Sequence, residues 1–145
     1  MHKPFPNRAE YEHFIYSIKV SYIGVEESTL HFFTTSPTAG LLKGKLIFRN
    51  GFTLNVVEVI DFAASEILDY SYTVFNRDGE IERWYDPQPH PEDPTLAVTF
   101  PHHKHEHPDI KHNRQPIEEI GFDRLNLIAL INQISDMEVK KIHKG

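Results

Sequence analysis

Lys43–Arg49 and Phe52–Asp61 flank the pair Asn50-Gly51, and no other feature of the chain narrows its fold so far. Asn-Gly is the pair best suited to a two-residue type I′ turn, because both central positions need positive φ. Phe52, Leu54, Val56 and Ile60 alternate with Thr53, Asn55, Val57 and Val59, which predicts a strand with one strongly apolar face and one mixed face. Glu66–Phe75 and Glu80–Tyr85 form a second hairpin around Asn76-Arg77-Asp78-Gly79. Consecutive antiparallel strands of this kind make a meander.

The flanks complete the pattern. Asn7 can cap a helix in which Tyr11, Phe14, Ile15, Ile18 and Tyr22 recur at helical spacing. Thr29–Thr35 is rich in β-formers, and Ser36–Gly40 reads as a loop. Near the C-terminus Phe122, Leu125, Ile128, Ile131 and Ile134 define one apolar helical face, widened by Leu127 and Leu130. The expectation is a single α+β domain over 1–145. An antiparallel sheet of four or five strands spans 29–85, with helices over 7–23 and 117–136 packed on it. His13 and His31 fall inside these patterns and read as framework residues.

Composition removes several function classes. The chain has no cysteine, so disulfides, thiolate zinc sites and a cysteine nucleophile are excluded. No apolar run approaches the ~20 residues of a membrane span, and the first residues lack the apolar stretch of a signal peptide. A soluble, cytoplasmic protein is expected. The net charge of −6 argues against a broad nucleic-acid platform, although an enzyme touching one or two phosphates needs only a local basic spot. No Walker or dinucleotide-binding glycine pattern occurs.

From Asp86 to Pro116 the periodicity mostly stops. Prolines 87, 89, 91, 94, 101, 108 and 116 rule out a long helix there and leave only Thr95–Phe100 as a short strand. A connection this long is usually functional or disordered. It also holds five histidines within eleven residues: His102, His103, His105, His107 and His112.

Imidazole exchanges a proton near neutrality and also binds zinc, copper or nickel. Cleaving RNA without a metal needs a base for the 2′-hydroxyl, an acid for the leaving 5′-oxygen and a cation at the phosphate. Two histidines and a lysine or arginine supply all three. In an extended segment His103, His105 and His107 project to one side, with His102 and Lys104 on the other. Tyr85, Asp86 and His90 precede the segment, and Asp86 could orient an imidazole. Lys111 and Arg114 are candidate phosphate contacts, and Trp84 could stack on a base. The competing readings are a zinc or nickel site built from His103, His105, His107 and His90, and a solvated loop that binds metal adventitiously.

Three phrases in this region, Arg83-Trp84-Tyr85-Asp86, His90-Pro91 and Thr99-Phe100-Pro101-His102-His103-Lys104-His105, resemble the TumE-like family of toxin–antitoxin proteins. The likeness runs from about Gly44 toward the C-terminal helix. It implies a small toxin that acts on RNA beside a cognate antitoxin protein. Carried over by position, its candidate residues are Tyr85, Asp86, His102, His103, Lys104 and His105. No cofactor is expected on this reading, a divalent metal at the histidines being the alternative. Homodimerisation is left open.

Overall fold

The computed structural model describes residues 5–87, 103–106, 114–116 and 119–137. Helix α1 (Arg8–Ser21) begins where expected. The Asn7 side chain accepts from Glu10 N at 2.8 Å, and the Glu10 carboxylate accepts from Asn7 N at 3.0 Å, a reciprocal capping box. Tyr11, Ile15 and Ile18 are its buried face.

Among the described residues eight antiparallel strands follow: β1 (Val25–Ser28), β2 (His31–Ser36), β3 (Ala39–Phe48), β4 (Thr53–Asp61), β5 (Glu66–Phe75), β6 (Ile81–Asp86), β7 (His103–Glu106) and β8 (Arg114–Pro116). From β3 to β8 each pairs with the next, so the meander is continuous. On its other side β3 pairs with β1 through Leu46–Phe48 and with β2 through Ala39–Lys43. The sheet is therefore larger than the four or five strands expected. Pairing starts at Val25, and two strands lie inside the segment read as a loop. Thr95–Phe100, the one strand anticipated there, lies outside the described residues. The loop expected at Ser36–Gly40 shrinks to Pro37-Thr38, because β3 starts at Ala39.

The Asn50-Gly51 turn also differs in type. Gly51 has φ +95°, but Asn50 does not share it, since Ser65 is the one non-glycine with positive φ among the described residues. Gly51 N donates to Phe48 O at 3.0 Å and Phe48 N to Phe52 O at 2.9 Å. This is a three-residue loop closed by a glycine bulge. Asn76–Gly79 repeats it, with Gly79 N donating to Asn76 O and Asn76 N to Glu80 O. The Asn50 amide is thereby turned outward and donates to Ile134 O and Met137 O, tying the hairpin to the end of the C-terminal helix.

That helix, α2 (Asn126–Ser135), starts nine residues later than expected. Leu127, Leu130, Ile131 and Ile134 are buried, whereas Ile128, assigned to the apolar face, is exposed. Phe122 and Leu125 reach the core from the preceding segment instead. That segment is held non-helical by Asn126, whose Oδ1 accepts from Gly121 N and whose Nδ2 donates to Gly121 O, both at 2.9 Å. His13 and His31 are both exposed, so neither is part of the buried framework.

One polar network runs through the core. Leu54, Val56, Glu58 and Ile60 point to the same buried side of β4, and Glu58 is 2 % exposed. Its carboxylate accepts from Tyr11 of α1 at 2.6 Å and from Tyr72 of β5 through a short hydrogen bond. Asn126 Nδ2 donates to the Tyr72 hydroxyl at 3.0 Å, so both helices and two strands meet at one carboxylate. Burial raises the Glu58 carboxyl pKa, partly offset by the two tyrosine hydrogen bonds. Burial, then the Glu58 charge, hold both phenols well above their usual range, so they stay protonated donors.

Where β1 gives way to β2, the chain passes over Gly44, which has φ +145°. A Cβ there would lie 2.5 Å from Thr29 O and 2.8 Å from Leu30 Cα, both backbone atoms. Gly44→Ala is expected to destabilise the protein by at least about 1–3 kcal/mol from backbone strain alone. The check is a lower urea midpoint at unchanged m-value.

Candidate functional site

β7 forms despite its charged and imidazole-bearing sequence because β6 offers a pairing edge. Arg83, Trp84, Tyr85 and Asp86 face Glu106, His105, Lys104 and His103 in register. Alternation along the strands then sorts the candidate residues between two faces of the sheet.

On one face, Trp84, Asp86 and His105 come together. His105 Nε2 lies 3.4 Å from Asp86 Oδ2, and both side chains are buried. The half-buried Trp84 indole stacks on the His105 ring, with centroids 4.5 Å apart and planes at 24°. The carboxylate is thus aimed at one ring nitrogen while the indole covers a flat side of the imidazole. This is how a histidine is held in one orientation. His103 sits opposite Asp86 in the register, and Arg114 opposite His105.

The other face holds Tyr85 and Lys104. Tyr85 is fully buried, its ring edge-on to Tyr72 at 6.5 Å. Burial raises its hydroxyl pKa, and the Arg83 guanidinium partly offsets this. Lys104 Nζ lies 2.7 Å from Glu106, which also faces Arg83 at 3.9 Å. The grouping of Lys104 and Tyr85 with His105 in one pocket therefore does not form; they lie on opposite faces of the sheet. His90, His102, His107 and Lys111 lie outside the described residues. Among the described residues no three metal-binding side chains gather.

Tyr70 escaped the sequence reading. It is buried, stacks on Tyr72 at 4.9 Å, and its hydroxyl pKa is raised by burial and then by the Asp86 and Asp69 charges. Glu58 was also passed over, although its place in the apolar phase of β4 was visible.

Fold and site together define a class: a small α+β protein with its helices against one side of an antiparallel meander and an oriented histidine–carboxylate pair on the other. The toxin TumE family matches residues 12–135, and the chain belongs to that family. It is accordingly a toxin of a toxin–antitoxin system, with an antitoxin as partner. No curated protein and no solved structure matches it. No described helix is long and apolar enough to cross a membrane.

Proposed function

We propose that this toxin is an endoribonuclease using histidine acid–base chemistry. The observation that carries the reading is the buried Asp86–His105 pair under the Trp84 indole. A buried carboxylate–imidazole pair offers little to packing and costs desolvation, so its use is more simply chemical. On this reading Asp86 fixes the ring of His105 through Nε2. His105 and either His102 or His103 divide the roles of base for the 2′-hydroxyl and acid for the 5′-oxygen. Arg114, opposite His105 in the register, replaces Lys104 as the cation for the phosphate.

The test uses untagged protein, treated with chelator and offered a mixed pool of RNA. Cleavage that survives chelation supports the proposal. Activity restored only by added zinc or nickel means a metal-dependent hydrolase instead. A folded protein that binds metal stoichiometrically but never cleaves is a non-catalytic module. In a bacterial host, induction is expected to arrest growth, and His103→Ala at unchanged protein level is expected to abolish the arrest.

A further inference from the structure

The five strand registers from β3 to β8 join into one line. Lys45 faces Asn55, Asn55 faces Thr73, Thr73 faces Trp84, Trp84 faces His105 and His105 faces Arg114. Five interstrand steps of roughly 4.8 Å make the row about 24 Å long. The adjoining row holds Lys43, Val57 and Ser71 on β3–β5, and Asp86 and His103 on β6–β7. Lys43, Lys45, Asn55, Val57, Ser71, Thr73, Trp84, Asp86 and His105 of these rows lie on the face opposite Leu54, Val56, Glu58, Tyr72 and Tyr85, where α1 and α2 pack.

The chemistry along this line is ordered. A cationic residue stands at each end, with an exposed amide, a hydroxyl, an indole and an imidazole between them. Lys43 and Lys45 are exposed and form no ion pair with any described residue. In a chain of net charge −6 these two lysines make a basic spot at the β3 end of the rows, with Glu82 and Asp86 the acids on β6 at the other end. The nearest exposed acid on β5, Asp69, stands two alternations beyond Thr73, away from the row. Cations flanking one aromatic and several hydrogen-bonding groups suit a strand with exposed bases.

We infer that the sheet face marked by Lys45, Asn55, Thr73 and Trp84 is the track along which single-stranded RNA reaches the histidine site. Lys43 and Lys45 hold phosphates upstream, Asn55 and Thr73 meet sugar or base edges, and Trp84 offers its edge to a base beside the site. The row matches an oligonucleotide of about four or more residues. Duplex RNA is disfavoured, because its bases are already stacked and its major groove is too narrow for side chains. This inference rests on the ribonuclease reading and adds to it the form of the substrate and its path.

The test separates the two. The probe is an uncleavable 2′-O-methyl oligoribonucleotide of about ten residues, and the reader is Trp84, the chain's single tryptophan. Saturable quenching is expected for the wild type. Lys43→Glu and Lys45→Glu should each weaken binding about tenfold or more and flatten its salt dependence. Lys19→Glu, on helix α1, should leave it unchanged. Binding equally tight in Lys43→Glu and Lys45→Glu, with cleavage intact, overturns the track and leaves the ribonuclease standing. Neither binding nor cleavage by the wild type removes both. Lys45→Glu that keeps its RNA affinity but loses the antitoxin makes this face a protein interface and also overturns the inference.

Discussion

His105→Ala is expected to lower the rate of RNA cleavage by roughly 10²–10⁴-fold, the usual contribution of a positioned acid or base. Because His105 is buried, loss of activity alone would not distinguish chemistry from unfolding. Asp86→Asn removes the charge at 3.4 Å while keeping the shape, and it is expected to show a loss in the same range with the thermal transition within a few degrees of wild type. Single-turnover kinetics at saturating RNA is the measurement. Full activity in a folded Asp86→Asn protein would remove the orienting carboxylate from the mechanism. Full activity in His105→Ala would remove the site.

The largest stability effect is expected at Glu58. Glu58→Ala strips two buried tyrosine hydroxyls of their acceptor and opens a cavity between α1, β4 and β5. Each orphaned group costs about 1–3 kcal/mol, so the two together cost about 2–6 kcal/mol. That is a large part of the ~5–15 kcal/mol that holds a typical domain together. Equilibrium denaturation measures it; a loss below about 1 kcal/mol would mean that the network is replaceable.

The same residue sets a pH dependence whose sign follows from its burial. The folded-state pKa of Glu58 lies above the ordinary value of 4.5, so the folded protein favours the neutral acid more than the unfolded chain does. This contribution is complete below the unfolded value and is lost as pH rises through the folded one. Glu58→Gln carries no titrating group there. The stability of wild type relative to Glu58→Gln is therefore expected to fall as pH increases from about 4.5. A difference that is flat with pH, or that grows, would show that the two tyrosine hydrogen bonds outweigh desolvation.

Local signals were legible wherever a residue acts on its immediate neighbours. Asn7 caps α1 as expected, and β5 spans the ten residues expected of it. The meander connectivity was visible in the glycine turns, although their closure by a bulge was not, since Asn50 is drawn toward α2. β7 was missed because His103-Lys104-His105-Glu106 has neither strand propensity nor apolar alternation. Its partner, β6, supplies what its own sequence lacks. The start of α2 was misplaced for the same kind of reason, the Asn126 amide being committed to Gly121 rather than to continuing the helix.

Of the candidate site, Trp84, Asp86 and His105 were recognisable as residues, but their assembly was not. The register reaching them crosses irregularities between Val59 and Ile60 and between Val74 and Phe75, and each one-residue slip exchanges the two faces. Lys104 shows the consequence. One position from His105, it looks in the sequence like the cation beside it, yet it stands across the sheet against Glu106.

The amino-acid order alone thus determined the antiparallel ladder, the N-terminal helix and the residue types able to move a proton, because turns, caps and alternation act over a few residues. Which of those side chains share a face, that Glu58 joins both helices, and that Lys45 stands in line with His105 were decided only in the folded sheet. Hydrogen bonds between strands far apart in the chain set that register, and no short-range preference encodes it.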